Sequence, residues 1–287
     1  MRGSRDGFLS KLSADGTALI YSTFLGGSGS NSDTYIYEIA IDAAGHVYVT
    51  GNTTSAGFPV TPGAFQTTTQ RDNDGFVTKF SPDGSSLVYS TFVGGGLGQG
   101  ICVDEQGNAY VTGTAFEDFP VTAGAAQGTY GGGGADAFVL KLSVDGSALV
   151  YSTYLGGNDS DTGYGIALAS GNRACVTGYM RSSNFPTTPG VTPIALQGQR
   201  AAFLTIVSED GTAFTVSSYI GGDNNTYTYG IAIGTDGSIY ITGSTQASNF
   251  PVTLGAFQTT RSGFTDAFVY RTRFAMYAKS SVVIMKL

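Results

Sequence analysis

The chain has 287 residues, of which 12% are charged, about half the usual share in soluble globular proteins. The formal net charge is −7, and phosphate binding requires clustered Lys and Arg, so the sequence predicts no nucleic-acid partner. No stretch approaches the run of about 18 apolar residues that a membrane span needs. The 43 glycines, 18 Phe and 17 Tyr favour strands and tight turns, and a hydrophobic share of 41% excludes a disordered chain.

The first residues, 1–5, are interpreted as an expression-vector start joined to a piece of a longer gene, because repeat sequence begins directly at Asp6. No signal peptide is recognisable. Under this interpretation the missing signal says nothing about where the parent protein is located.

A repeat of about 65 residues begins with an aromatic anchor in the pattern Phe-x-x-Lys-Leu-Ser or a close variant. The spacings between successive anchors are 68, 62, 65 and 65 residues. The anchors are Phe8, Phe76, Phe138, Phe203 and Phe268. Behind the first four anchors come an Asp-Gly turn and an alternating strand that ends in Gly-Gly, which predicts an antiparallel hairpin.

A second hairpin follows in every repeat, first at 39–42 and 47–51, across a turn that contains Gly45. A Phe-Pro segment comes next, and it continues as Val-Thr-Pro-Gly-Ala-Phe-Gln at 60–66 with a near copy at 252–258. Proline removes donors from a strand ladder, so these segments are predicted to be loops or edge pieces. We expect them to cover blade edges, since an exposed apolar rim would favour aggregation.

Two hairpins per repeat give four strands per repeat, which is typical of the four-stranded antiparallel blades of a β-propeller. With the strands of a blade named A to D from the innermost outwards, the chain reads CD-(ABCD)3-AB-C, or about four to five blades. A single all-β domain over 6–270 is predicted, with a solenoid or β-helix as the competing architecture. The N-terminal CD pair could complete the last blade, or a second copy of the chain could complete the half-blades.

The tail at 271–287 departs from the repeat, because the expected Lys-Leu-Ser-x-Asp-Gly is absent and four basic residues stand there instead. A β-branched, apolar stretch at 281–285 predicts one further strand.

The repeat sequence is clearest at 136–146, Asp-Ala-Phe-Val-x-Lys-Leu-Ser-x-Asp-Gly, followed by Leu-Val-Tyr-Ser-Thr-Tyr-Leu-Gly-Gly at 149–157. With the Val-Thr-Gly at 176–178 and the Asn-Phe-Pro at 184–186, this pattern resembles the SBBP family, the β-propeller repeat of large bacterial secreted and surface proteins. The resemblance covers about residues 6–270. It implies a propeller within an extracytoplasmic parent protein, and it implies no catalytic residues.

The loops between strand D and the next strand A are polar and acidic in three repeats. Carboxylate and amide oxygens are the ligands that Ca²⁺ prefers, so these loops predict a calcium site if they meet at one mouth of the channel. The candidate ligands are Asp33, Asp159, Asp161 and Asp223. The alternative is that these loops are solvated turns in which Asp and Asn satisfy the bend.

One position just before the Gly-Ile of strand A is predicted to face the propeller channel. It is occupied in the four repeats by Tyr37, Gln99, Tyr164 and Tyr229, which are the candidate binding residues. Beside it Glu38 replaces a glycine, and a desolvated carboxylate there could act as a general base. His46 is the only histidine, so a His-based metal site and a Ser-His-Asp triad are excluded.

The two cysteines, Cys102 and Cys175, are expected to be buried free thiols.

The favoured function is a non-catalytic binding or scaffold module with a protein, small-molecule or glycan ligand on the channel face. One alternative is a Ca²⁺-dependent hydrolase of esters, lactones or phosphotriesters. Another is a carbohydrate-binding propeller.

Overall fold

The computed structural model describes residues 4–29, 32–190 and 198–274, and its regular elements are all β-strands. The first six strands are β1 (Gly7–Leu12), β2 (Leu19–Leu25), β3 (Thr34–Ile41), β4 (Val47–Thr53), β5 (Asp74–Phe80) and β6 (Leu87–Phe92). The next six are β7 (Gly96–Val103), β8 (Ala109–Ala115), β9 (Asp136–Leu142), β10 (Leu149–Leu155), β11 (Thr162–Ala169) and β12 (Arg173–Met180). The last five are β13 (Ala201–Val207), β14 (Phe214–Ile220), β15 (Thr226–Ile233), β16 (Ile239–Thr245) and β17 (Asp266–Thr272).

These strands form five sheets whose neighbours follow chain order. Three sheets have four strands, β3 to β6, β7 to β10 and β11 to β14. Strands β1 and β2 form a pair of their own, and β15, β16 and β17 form the last, three-stranded sheet. The observed order is therefore CD-(ABCD)3-ABC, which confirms the predicted all-β propeller of four-stranded blades and its phase.

Strand β17 takes the third position of the last sheet, beside β16, so the N-terminal strand β1 does not fill that position. The predicted strand at 281–285 lies outside the described residues. Across the described part of the chain, no helix is long and apolar enough to span a bilayer.

The chain divides into two compact units. Unit 1 comprises Met1–Ala123 and Phe138–Thr153, and unit 2 comprises Gly124–Ala137 and Tyr154–Leu287. In unit 1 a buried apolar cluster includes Leu9, Val49, Phe58, Phe76 and Phe92. In unit 2 the corresponding cluster includes Cys175, Leu204, Ile206, Val216 and Ile241.

The cysteine prediction is confirmed for one residue and only partly for the other. Neither Cys102 nor Cys175 forms a disulfide bond, and Cys175 is buried while Cys102 is half-buried. Burial raises the pKa of the Cys175 thiol to about 12, which keeps it protonated and inert at neutral pH.

The segments that begin with Phe-Pro are named arms here, and they span residues 58–66, 119–127, 185–190 and 250–258. In the β3 to β6 sheet the arm lies along the outer strand, where the Thr61 N–H donates to the Ser90 carbonyl at 3.0 Å. The Phe92 N–H donates to the Gln66 carbonyl at the same distance, 3.0 Å. Equivalent bonds join Thr122 to Ser152 at 3.1 Å and Thr188 to Ser217 at 3.0 Å. The arms therefore cover the outer edges of the complete sheets, as predicted.

Candidate functional site

The first strand of each sheet from β3 onwards contains a β-bulge at the same place. In β3 the pairing with β4 passes from Ile36 opposite Gly51 to Glu38 opposite Thr50, so the residue between them has no cross-strand partner. The same shift occurs in β7, β11 and β15. The bulged residues are Tyr37, Gln99, Tyr164 and Tyr229. These are the four predicted binding residues, and a bulge is a common device for re-aiming a side chain beside a functional site.

A glycine in the second strand maintains the close approach at each bulge. A β-carbon on Gly51 would collide with the carbonyl oxygen of Tyr35. A β-carbon on Gly178 would collide with the carbonyl of Thr162, and one on Gly243 with the carbonyl of Tyr227. A larger residue at these positions would separate the two strands, so the Thr-Gly pair of each second strand preserves the bulge.

In unit 2 the bulged tyrosines belong to a group of four aromatic rings. The ring centroids of Tyr164 and Tyr229 lie 5.7 Å apart, and those of Tyr164 and Tyr179 lie 5.9 Å apart. Tyr227 meets Tyr179 edge-on at 5.5 Å and stacks on Tyr229 at 6.4 Å. The two bulged positions of this unit therefore form one continuous aromatic surface.

Arg200 completes this group, which is named the tyrosine–arginine cluster (Tyr164, Tyr179, Arg200, Tyr227 and Tyr229). Its Nη1 donates to the Tyr227 hydroxyl at 2.7 Å, and its guanidinium lies 5.7 Å from the ring centroid of Tyr179. Tyr229 is 55% exposed, whereas the other members are half-buried. Burial, followed by the neighbouring tyrosines, raises the pKa of Tyr164, so its phenol remains a neutral hydrogen-bonding group.

Unit 1 contains a smaller version of the same arrangement. Arg5 donates to the Tyr35 hydroxyl, with its guanidinium 5.9 Å from that ring. Tyr35 in turn stacks on Tyr37 at 6.3 Å with an interplanar angle of 4°. Tyr37 lines a cleft of about 250 Å³ together with Phe8, Ile36, Glu38 and Ile39.

The structure places the predicted general base, Glu38, on an exposed part of β3. Its Oε1 accepts a hydrogen bond from the Ile39 N–H at 3.1 Å. The expected desolvation is therefore not found within unit 1, and the catalytic role stays a prediction. Gln99 is half-buried in unit 1. Its strand, β7, carries Leu97 two residues before the bulge, where the other first strands carry tyrosine or threonine.

Sequence reasoning missed the two arginines and Tyr179. One signal could have identified the arginines, because each stands three residues before a Phe anchor and is followed along the chain by a Thr-Tyr-x-Tyr segment. Arg5 precedes Phe8 and is followed by Tyr35 and Tyr37, and Arg200 precedes Phe203. The equivalent positions in the remaining repeats hold Asn73, Ala135 and Thr265.

The carboxylates predicted to bind calcium are held by bonds to protein groups, most of which belong to other segments of the same unit. Asp33 accepts from the Tyr35 hydroxyl at 3.3 Å and lies 3.8 Å from Arg5. Asp159 pairs with Arg181 at 3.6 Å. Asp223 accepts from the backbone and hydroxyl of Ser248, and this lowers its pKa.

Asp161 is the only one of the four candidates that is fully buried. It accepts from the Gly157 N–H at 2.9 Å, the Arg181 N–H at 2.9 Å and the Ser182 hydroxyl at 2.6 Å. Within 4–29, 32–190 and 198–274, no three His, Cys, Asp or Glu side chains form a group suited to a metal ion. The calcium site and the hydrolase that depends on it stay predictions.

A comparison with protein-family models finds the SBBP β-propeller repeat at residues 20–59 and 217–251. The two segments lie at corresponding parts of the repeat, each covering a strand before the Gly-Gly, the following hairpin and the start of an arm. The SBBP β-propeller repeat model therefore matches two segments of the chain, in the family that its sequence resembles. No curated protein sequence matches it significantly.

Among solved structures, a protein of unknown function from Bacteroides caccae is 9% identical, with 83% of this chain and 65% of that chain covered and a TM-score of 0.42. A protein of unknown function from Dyadobacter fermentans is 13% identical over 73% and 62%, with a TM-score of 0.40. A gluconolactonase from Xanthomonas campestris is 14% identical over 82% and 61%, with a TM-score of 0.39. The chain therefore spans between 61% and 65% of the length of these structures.

Proposed function

We propose that these SBBP repeats form a non-catalytic binding module of an extracytoplasmic bacterial protein, with the tyrosine–arginine cluster of unit 2 as its ligand surface. The observation that supports this is the continuity of four tyrosine rings with one guanidinium around the exposed Tyr229. The cluster combines aromatic faces with hydroxyl and guanidinium donors. It is suited to binding, and its own members include no nucleophile paired with a base.

The chemistry of the cluster favours a carbohydrate ligand. A sugar ring has one face of C–H groups, which can lie on the Tyr229 ring, and a rim of hydroxyls that hydrogen-bond to phenols and to a guanidinium. Arg200 is oriented by its bond to Tyr227 at 2.7 Å, so its remaining N–H groups are held in place before a ligand arrives. A cluster prepared in this way loses less side-chain entropy on binding.

The test is a glycan array with the intact chain, followed by titration calorimetry with any glycan it retains. We expect Tyr229→Ala and Arg200→Ala each to weaken binding about tenfold or more, which corresponds to about 1.4 kcal/mol. Tyr240→Ala is the matched control, because Tyr240 is also a partly exposed tyrosine of unit 2 with an arginine, Arg271, 5.6 Å away. Failure to retain any glycan, or an equal loss with Tyr240→Ala, would contradict the proposal.

A further inference from the structure

The two arginines of the aromatic groups occupy equivalent places in the repeat. The Arg5 carbonyl accepts from the Thr34 N–H at 2.9 Å, and the Arg200 carbonyl accepts from the Thr226 N–H at 3.1 Å. Each of these threonines is the first residue of a first strand, β3 in one unit and β15 in the other. The surroundings of the two arginines can therefore be compared position by position.

In unit 1 the charge of Arg5 has a partner within the chain. The Asp33 carboxylate lies 3.8 Å from the Arg5 guanidinium, and it also accepts from the Tyr35 hydroxyl at 3.3 Å. The same hydroxyl accepts a hydrogen bond from Arg5. One carboxylate therefore meets both the guanidinium and the phenol O–H of this group.

In unit 2 the residue that corresponds to Asp33 is Asn225. The Asp33 carbonyl accepts from the Thr54 N–H at 2.9 Å, and the Asn225 carbonyl accepts from the Gln246 N–H at 2.8 Å, so the two residues hold the same backbone position. The Asn225 carboxamide donates to the Gln246 side chain at 3.4 Å. A carboxamide has no charge, so the acid that pairs with Arg5 has no counterpart at this position.

No other carboxylate of unit 2 replaces it. All 21 Asp and Glu residues of the sequence lie in the described part of the chain, and none of them forms an ion pair with Arg200 there. Other arginines of the unit do have such a partner, since Arg181 lies 3.6 Å from Asp159 and Arg271 lies 3.0 Å from Asp236. Arg200 is therefore a cation without an acidic partner in its own unit.

The hydrogen bonds of this guanidinium are also incomplete. Nη1 of Arg200 donates to the Tyr227 hydroxyl at 2.7 Å, whereas Nε is buried and meets no acceptor within the described part of the chain. The guanidinium lies 5.6 Å from the ring centroid of Tyr227 and 5.7 Å from that of Tyr179, so its position is set by two rings. An arginine has five N–H donors, and a buried donor without an acceptor costs free energy. Arg200 is thus held in place while its capacity to donate is largely unused.

The positive charge of Arg200 acts on the rest of the cluster. Burial and the neighbouring phenols raise the pKa of Tyr164, and Arg200 opposes that rise. None of the five members of the cluster is acidic. The cluster is therefore locally positive although the whole chain has a net charge of −7, and a local positive charge attracts an anionic ligand.

We propose that the tyrosine–arginine cluster binds an acidic glycan, whose carboxylate or sulfate group pairs with Arg200 while a sugar ring lies on Tyr229. This assignment rests on the proposed carbohydrate function and adds the charge of the ligand. The anionic group would accept charge-assisted hydrogen bonds from the guanidinium, and the Tyr227 O–H would donate to it as the Tyr35 O–H donates to Asp33. The planar guanidinium matches the paired oxygens of a carboxylate.

The test compares acidic oligosaccharides with neutral counterparts of the same length. The probes are uronic-acid oligosaccharides, each beside its methyl ester, and sulfated oligosaccharides, each beside its unsulfated form, all presented to the intact chain. In titration calorimetry we expect the retained acidic glycan to bind about tenfold more tightly than its neutral counterpart. The pair that shows this difference identifies the anionic group as a carboxylate or a sulfate. Added salt should narrow the difference, because it screens the ion pair.

One substitution separates the charge of Arg200 from the other features of the cluster. Asn225→Asp places at this position the acid that pairs with Arg5 in unit 1. We expect it to weaken binding of the acidic glycan about tenfold and to leave binding of the neutral counterpart unchanged. Asn224→Asp is the matched control, because it adds the same charge one residue away and keeps the acceptor for the Asn225 N–H at 2.8 Å. It should weaken acidic-glycan binding less than about twofold, since solvent and salt screen an exposed charge.

Three results would overturn the assignment of an acidic ligand while leaving carbohydrate binding intact. They are equal binding of the acidic and neutral glycans, an Asn225→Asp variant that keeps the preference of the parent chain, and an equal loss in the Asn224→Asp variant. Retention of no glycan at all would instead contradict the proposed carbohydrate function, and the acidic ligand with it.

Discussion

The first complete sheet, β3 to β6, and the last sheet, β15 to β17, share a local structure but differ in burial. Both have a tilted Phe pair, Phe58–Phe76 or Phe250–Phe268, and the same turn in the arm. However, Phe76 is fully buried while Phe268 is half-buried, and Val77 is fully buried while Val269 is 74% exposed. The comparison shows that the conformation of a repeat is set by contacts within it, whereas the burial of its side chains depends on neighbouring strands.

The aspartates that begin β9 and β17 show the same difference in their protonation. Asp136 accepts from the Gly131 N–H at 2.7 Å, and Asp266 accepts from the Ser262 N–H at 2.7 Å. Burial, opposed by the Gly131 bond and reinforced by Asp161, raises the pKa of Asp136 to about 7. In the half-buried Asp266, which is more open to solvent than Asp136, the Ser262 bond prevails and the pKa is lowered. Solvent exposure therefore reverses the direction of the pKa shift in two nearly identical turns.

The largest expected effect comes from truncating the aromatic pair in the complete sheet. Phe76→Ala should lower the free energy of unfolding by about 3–5 kcal/mol, because it empties a fully buried position. Phe268→Ala should cost about 1 kcal/mol, because its site is already open to water. Urea unfolding of both variants measures the difference. Equal losses would show that the last sheet is buried in solution.

The second effect is a pH dependence of stability. The unfolded chain releases the Asp136 proton near its ordinary pKa of 3.8, whereas the folded chain holds it up to about pH 7. Stability should therefore fall as pH rises through this interval, by at most about 4 kcal/mol, and level off above it. Thermal unfolding of Asp136→Asn should lack this decline. The Asp266→Asn variant should keep the decline in stability with rising pH. A decline that persists in the Asp136→Asn variant would contradict its assignment to Asp136.

The smallest expected effect comes from the hydrogen bond between an arm and the outer strand that it covers. Thr61→Val removes the hydroxyl that accepts the Ser90 N–H at 3.0 Å. The substitution should lower the free energy of unfolding, measured by urea unfolding, by about 1 kcal/mol. Thr253→Val should leave stability unchanged, since no outer strand meets that threonine within the described chain. Equal costs for Thr253→Val and Thr61→Val would contradict this assignment.

The sequence predicted the strands, their phase and the edge-covering arms because each of these is encoded by a local, repeated pattern. Alternation from Leu87 to Phe92 and the Asp-Gly turn before it are sufficient to specify a hairpin. The bulged positions were also identified by alignment of the repeats, although the bulge itself was not predicted. Its cause is a contact between strands, Gly51 against the Tyr35 carbonyl, that no single segment displays.

The remainder of the site depends on contacts between repeats. Arg200 meets Tyr227 across 27 positions of sequence, and neither residue is unusual within its own strand. The exposure of Glu38 likewise depends on what packs against β3, not on the glycine that it replaces. Sequence comparison of repeats identified equivalent residues, but it could not determine which of them meet.

The phase of the strands has a consequence for how such a chain can change in length. One sequence repeat, from Phe76 to Ala137, supplies the last two strands of one sheet, β5 and β6, and the first two strands of the next sheet, β7 and β8. The Asp-Gly pair that begins β5 belongs to the preceding repeat. Duplication or loss of a whole repeat by recombination therefore alters the number of sheets while leaving every remaining sheet with strands in the correct order. The polypeptide also runs without a break from each sheet to the next, so a newly gained sheet is covalently linked to its neighbours.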